Sequence, residues 1–241
     1  MEAGRPTLGV IPARGGSKGI PRKALCDLGG RPLLVHTVEA ALCARGLDRV
    51  VVSTDDPEIA AVARAAGAEV PFLRPAALAG DDAPTAAVLQ HALSFLERSQ
   101  GFAPRAVVTL QPTSPFRAPG LIDRCLEEFL RTGADSVTTV FPAEHHPAWM
   151  WRLGPERRLE PLAPGRGAAP GRRQDLEPVY RLTGSVYVTR PALILEQGAV
   201  LGGDVRGVVV EDPAEALDID APFDLLVARL IWQVRAGGGG R

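Results

Sequence analysis

Thr7-Leu8-Gly9-Val10-Ile11-Pro12 runs directly into Ala13-Arg14-Gly15-Gly16-Ser17-Lys18-Gly19. The first six residues are apolar and β-branched without polar alternation, the pattern of a strand buried on both faces of a parallel sheet. The next seven are glycine-rich and carry Arg14 and Lys18, with Arg22 and Lys23 close behind. Glycines let backbone N–H groups turn toward a bound anion, and the cations neutralise its charge. A strand opening into such a loop at its carboxyl end therefore reads as a phosphate site, with a ligand-free flexible turn as the alternative. The order Ser-Lys-Gly is not that of a P-loop, and no G-x-G-x-x-G occurs.

Working outward, the chain repeats the strand-then-helix theme. A helix is predicted over about 32–45, with Leu33, Leu34, Val38, Ala41 and Leu42 on one side. Arg49–Thr54 is a second buried strand. Asp55-Asp56-Pro57 then reads as a helix cap with proline at the first helical position, or as a pair of metal carboxylates. A short strand over 67–73 and a helix over about 84–98 follow; His91 falls within the latter as a surface or packing histidine. The strand Ala106–Leu110 leads into Gln111-Pro112-Thr113-Ser114-Pro115-Phe116-Arg117, a loop that two prolines stiffen. With a helix near 119–131 and a strand near 135–141, this alternation implies a largely parallel sheet with helices on both faces.

The pattern breaks at 144–173, which is rich in Pro, Gly and Arg; six arginines stand against two glutamates between Arg152 and Arg173. This stretch is either a solvated charged loop or an arm that presents arginine to an anionic substrate or, through Trp149 and Trp151, packs on a partner subunit. His145 and His146 are adjacent, so in extended chain they face opposite ways and make a poor metal pair. Strand character returns over Gly184–Thr189 and Val208–Val210. In Leu217-Asp218-Ile219-Asp220, extended backbone would put both carboxylates on one side, where they fit a magnesium ion shared with substrate phosphates. Asp220 alone could instead cap a helix over Pro222–Val234, which leaves Asp218 unexplained.

The 241 residues suit one α/β domain over 1–235, with an insertion near 142–180 and a flexible tail at 236–241. A net charge of −1 provides no basic field for nucleic acid. Three widely spaced cysteines and the absence of an apolar span point to a soluble cytoplasmic protein, away from membranes.

Together these segments resemble the acylneuraminate cytidylyltransferases, the CMP-nonulosonic acid synthetases. The resemblance rests on Ile11–Lys23, Val52–Asp55, Leu73–Pro75, Leu110–Pro115, Glu144–Pro147 and Leu217–Asp220, in the family's order and spacing. It implies a Rossmann-like nucleotidyltransferase fold, a homodimer, and Mg²⁺-dependent transfer of CMP from CTP to the anomeric hydroxyl of a nine-carbon 2-keto-3-deoxy sugar acid. It implies further that Arg14, Gly15, Gly16, Ser17, Lys18 and Lys23 hold the triphosphate and that Arg74, Ala83 and Thr85 border the cytidine. Gln111, Arg173 and Tyr187 fall at sugar-side positions, and Asp218 and Asp220 at the metal carboxylates; Lys23, Arg14 and the two aspartates would carry the chemistry. The arm with the tryptophans corresponds to the segment that crosses to the other subunit. Two positions depart from the family: Ala24 replaces a common asparagine, and Trp149 stands where sialic-acid-specific bacterial enzymes have a lysine. Ala24 bears on how the cytidine is held, and Trp149 leaves the acceptor open among legionaminate, pseudaminate and deaminated sialic acid. An octulosonate sugar or a phosphonate is a second enzymatic reading, and a nucleotide-binding module without catalysis the non-enzymatic alternative.

Overall fold

In the computed structural model, which describes residues 4–162, 172 and 176–237, the opening apolar run is the strand β1, Thr7–Pro12. After it come the two-residue strands β2 (Asp27–Leu28) and β3 (Arg31–Pro32), then helix α1 (Leu33–Leu42), strand β4 (Arg49–Ser53) and helix α2 (Pro57–Ala65). Helix α3 (Thr85–Gln100), strand β5 (Ala106–Thr109), helix α4 (Leu121–Thr132) and strand β6 (Ser136–Pro142) continue the alternation. A small hairpin of β7 (Trp151–Leu153) and β8 (Leu159–Pro161) precedes β9 (Tyr180–Thr189), α5 (Pro191–Gln197), β10 (Val205–Val209) and the closing helix α6 (Pro222–Gly237).

Six strands form one sheet in the order β10-β6-β9-β5-β1-β4. β4, β1 and β5 pair in parallel, as do β6 and β10, while β9 lies antiparallel between β5 and β6. Five of the six strands thus run in one direction, with three of the five pairings parallel, an α/β fold of the expected class.

β1 is uniformly apolar because both of its faces are covered. Ile11, with Val52 and Val108, packs against Leu34 and Val38 of α1, Ile59 of α2 and Leu126 and Phe129 of α4. Leu8 and Val10 point the other way, onto Leu89, Leu93 and Leu96 of α3 and Ile194 of α5. Completely burying side chains of this size contributes about 1.5–3 kcal/mol each.

A third cluster matters more for the site. Ile20 and Leu28 meet Phe116, Ile219, Leu225 and Ala228, so α6 is packed against the segment that follows the first loop. The β2–β3 turn shows how close this packing is, because a Cβ at Gly29 would lie 2.0 Å from the indole nitrogen of Trp232.

Several segments differ from their sequence reading. The strand expected at 67–73 is a single bridge between Val51 and Glu69, since Pro71, two residues on, has no N–H to extend the ladder. β9 begins four residues before the expected start, running through a register shift opposite Thr138/Val140 and through Gly184 at φ +75°. α6 continues to Gly237, so the first two residues of the expected tail are helical; 238–241 lie outside the described residues. Asp220 does not cap α6: Asp224 accepts the amides of Asp220 (3.0 Å) and Ala221 (2.7 Å) instead. Among the described residues no helix is long and apolar enough to cross a membrane.

The cap at Asp56 is as read. Its carboxylate accepts the amides of Glu58 (2.8 Å) and Ile59 (3.1 Å) and pairs with Arg22 at 3.0 Å. Burial alone would raise this carboxyl, but the Ile59 and Glu58 amides and Arg22 outweigh it and hold the carboxyl below its usual value. A group depressed on folding contributes stability above its unfolded pKa and loses it as pH falls through the folded one. Asp56→Ala should therefore cost about 1–2 kcal/mol in urea unfolding at neutral pH, with the difference from wild type shrinking in acid below about pH 4.

Candidate functional site

β1 and β5 are neighbours in the sheet, so the loops leaving their carboxyl ends stand side by side. Between them opens a cleft of about 410 Å³, the crevice position in which open α/β sheets hold ligands. Arg14, Ser17, Lys18 and Lys23 line it from the first loop, Gln111 from the second, and Arg74, Ala83 and Thr85 from the segment that leads into α3. Asp220 closes it from the far end of the chain. Nine of the residues singled out in the sequence thus share one cavity.

Lys23 is the pivot. Arg22 adopts a left-handed conformation (φ 54°, ψ 39°), uncommon for a residue with a side chain, and is held there by ion pairs to Asp56 and Glu58. The next residue, Lys23, directs its ammonium to the Ile219 carbonyl (2.7 Å) and the Asp220 carboxylate (2.8 Å). Gly19 lies against the same segment: a Cβ there would sit 2.2 Å from the Asp220 carbonyl oxygen. This close approach is why a glycine stands at position 19.

The remaining loop cations already have an anion. Arg14 reaches Asp81 at 2.9 Å and the Gly80 carbonyl at 3.0 Å, and Lys18 reaches Asp81 at 2.8 Å. Hydrogen bonding from Lys18 is the largest of the effects that keep the Asp81 carboxyl below its usual range. Gly15 and Gly16 do not line the cleft. The Gly15 amide donates to Asp55 (3.1 Å), and a Cβ at Gly15 would meet the Asp56 carboxylate at 2.8 Å, whereas Gly16 faces open space. Asp55 also accepts from Arg74 (3.3 Å), so Asp55 and Asp56 brace the loop and are committed to amides and arginines. Arg74 is buried with its Nε unpartnered, and desolvation lowers its pKa against the opposing pull of Asp55.

The second loop meets the aspartate segment through the Ile219 amide, which donates to the Thr113 carbonyl at 2.9 Å. Gly184 marks where the two converge, since a Cβ there would lie 3.4 Å from Gln111 Oε1 and 3.6 Å from both Asp218 Oδ2 and Ser114 Oγ. Asp218 is half-buried, with an Oδ1 that is sealed from solvent and has no hydrogen-bond partner. Desolvation is the main cause that raises its carboxyl, with Asp220 adding to it and Thr113 and Lys23 opposing. Tyr187, which does not line the cleft, is likewise raised by desolvation and by the Asp218 charge.

Arg173 lies outside the described residues. Ala24 is in the cleft wall, whereas Trp149 sits outside it, its ring 6.3 Å from that of His146. Both ring nitrogens of His146 are engaged, Nδ1 by the Ala148 amide and Nε2 at the Glu177 carbonyl, and His91 packs edge-on against Phe72 and does not line the cleft. Asp81, Asp224 and Gly184 went unread in the sequence as site residues. Asp81 and Gly184 are defined by contacts to distant segments, which no local pattern marks, whereas Asp224 acts locally, taking the amides three and four residues before it.

A cleft at the switch between parallel strands, lined by four cations and faced by two carboxylates, defines a nucleotidyltransferase type of α/β protein. The solved structures agree on the fold: a CMP:2-keto-3-deoxy-manno-octonic acid synthetase complexed with CTP superposes with a TM-score of 0.69 at 18% identity, covering 95% of this chain and 99% of that one. A 4-diphosphocytidyl-2C-methyl-D-erythritol synthase from Anaerococcus prevotii gives 0.66 at 14%, covering 96% and 100%. The cytidylyltransferase family model matches residues 8–147, and the chain belongs to that family. Among its relatives, CMP-N,N'-diacetyllegionaminic acid synthase of Legionella pneumophila is 36% identical over 94% of this chain and 96% of its own length. Pseudaminic acid cytidylyltransferase of Campylobacter jejuni is 31% identical over 93% and 95%.

Gly19→Ala should push the first loop off the Asp220 carbonyl and with it displace Lys23. Turnover is expected to fall on the order of a hundredfold, since misplacement of about 1 Å costs that much. Steady-state kinetics beside a melting curve check this; a folded variant with wild-type turnover would contradict the packing argument.

Proposed function

We propose that this protein transfers the cytidylyl group of CTP to the anomeric hydroxyl of a nine-carbon 2-keto-3-deoxy sugar acid, releasing pyrophosphate. The observation that carries the reading is Lys23, its ammonium on the Asp220 carboxylate at one end of a cleft whose other cations are Arg14, Lys18 and Arg74. Full-length relatives named for legionaminic and pseudaminic acids support the class of acceptor.

In this reading Arg14 and Lys18 exchange Asp81 for the β- and γ-phosphates, with Ser17 alongside. Lys23 stands nearest the α-phosphate. As the acceptor hydroxyl gives its proton to water and its oxygen bonds to the α-phosphorus, the bond to the bridging oxygen breaks, and negative charge grows on the non-bridging oxygens and on departing pyrophosphate. Cations held in place before the reaction stabilise that charge without having to reorganise. Arg74, Ala83 and Thr85 border the base. Gln111 and Tyr187 orient the sugar, with Arg173 as a further sugar-side cation.

The donor set suits a divalent cation. The Asp218 oxygen without a hydrogen-bond partner is a hard anionic ligand left unsatisfied by protein groups, and Asp220 supplies the second carboxylate. Bound there, Mg²⁺ would neutralise phosphate charge as a Lewis acid. Homodimerisation through the arm and a cytoplasmic location belong to the same proposal. The half-exposed apolar residues Met150, Trp151 and Leu162, with the more exposed Leu153 and Leu159, and the three free cysteines suit those two assignments.

Pyrophosphate release from CTP and Mg²⁺ should appear with at least one nonulosonic acid in a panel that also holds octulosonate and phosphonate acceptors. Binding of CTP with silence toward the whole panel would favour a non-catalytic nucleotide module instead. Asp218→Asn, nearly isosteric, should lower kcat by a factor on the order of 10²–10³ while CTP still binds. Chelation by EDTA should reproduce the loss in the wild type, and restored Mg²⁺ should reverse it.

A further inference from the structure

At the end of the second loop, Arg117 makes a set of contacts that the reaction described above does not use. Its Nη2 donates to the Gln111 carbonyl at 2.6 Å, its Nε to the Ser185 carbonyl at 3.0 Å and its Nη1 to the Thr37 hydroxyl at 2.9 Å. Three separate elements therefore meet on one planar group: the loop that carries Gln111, strand β9 and helix α1. All three acceptors are neutral, and among the described residues Arg117 forms no ion pair. The residue is part-buried, and its guanidinium is the end removed from water.

A rigid fork of donors is required for this arrangement, because an ammonium cannot span three divergent oxygens. The two carbonyls it joins lie at the centre of the acceptor side. Gln111 contributes the amide that faces the Gly184 position, and Ser185 is the residue immediately after that glycine. Gly184, at φ +75°, approaches both Gln111 Oε1 and Asp218 Oδ2, so small shifts of β9 or of the loop would separate these groups.

We infer that Arg117 is a positioning residue for the sugar acid: its guanidinium clamps the Gln111 loop to β9 at Ser185 and thereby fixes the Gln111 amide beside Asp218. It does not touch the acceptor itself. Burial of the guanidinium pushes its pKa down to about 9, with the Asp218 charge opposing, which is the cost of placing a cation among neutral acceptors at this point. That cost is a reason to assign it a role beyond packing, since an apolar side chain of similar volume would fill the space without it.

The inference rests on the proposed acceptor class, and two variants test it. Arg117→Lys keeps the charge and at most part of the hydrogen bonding; Arg117→Met keeps the bulk alone. With Lys, KM for the sugar acid should rise about tenfold while CTP affinity stays at the wild-type value, and with Met the rise should approach a hundredfold. Amide hydrogen exchange should speed up at Ser114 and over Gly184–Ser185 in both variants, more in the Met form, while β1 stays protected. Unchanged KM and unchanged exchange in the folded variants would overturn the clamp, as would parallel losses of CTP and acid binding that simply follow a lowered Tm. The exchange readout does not need turnover. A wild type silent toward every acid would refute the proposed function, and loosened exchange at Ser114 and Gly184–Ser185 would still uphold the clamp.

Discussion

The contact of Lys23 with Ile219 and Asp220, across 196 and 197 residues of chain, is the constraint on which the site depends. It fastens the loop after the first strand to the segment before the last helix. Gly19 lets the same two segments touch at the Asp220 carbonyl, and Ile20 and Ile219 share the small apolar cluster beneath them. Hydrogen bonds from a charged donor are worth roughly twice their neutral counterparts. Here the lysine stem is largely covered while the Asp220 carboxylate is open to solvent, which screens the pair on one side. The apolar cluster supplies cohesion, and the ammonium supplies register.

Around this junction the charges are arranged in tiers. Asp55 and Asp56 stand behind the loop and hold Gly15, Arg22 and Arg74; Asp81 stands across it and holds Arg14 and Lys18. Each cation lining the cleft has a carboxylate beside it: Arg14 and Lys18 share Asp81, Lys23 meets Asp220 and Arg74 meets Asp55. Asp218 differs from those carboxylates. Its desolvated oxygen has no protein donor, and the residues around it converge from the second loop, from β9 and from the last segment.

The sheet was largely legible in the sequence because parallel strands covered on both faces leave uninterrupted apolar runs. Thr7–Pro12, Arg49–Ser53 and Ala106–Thr109 all have this form. The cleft cations were legible in part: a glycine-rich loop with arginine and lysine after a strand suits either an anion site or a bare turn, and it is the shared cavity that brings Arg14, Lys18 and Lys23 together. What escaped was set by distance or by hydrogen-bond accounting. Pro71 stops a strand whose side chains look suitable, and Asp224 takes the capping role that Asp220 seemed placed to fill. Asp81 lies in an undistinguished loop and acquires meaning only from cations more than 60 residues earlier. A glycine such as Gly184 is informative only once its neighbours in space are known.

Asp81 also changes the thermodynamics of filling the cleft. A phosphate arriving beside Arg14 and Lys18 does not enter a bare positive field; it replaces a carboxylate already within 3 Å of both. Its electrostatic gain is the difference between two anions, one tethered and singly charged, the other free and multiply charged. Such an exchange discriminates by charge density. A carboxylate buffer gains nothing over the resident side chain, whereas an anion gains more from the exchange the more charges it carries. The loop thereby keeps its cations ordered and neutralised, and gives them up only to a ligand carrying more charge than the chain itself provides.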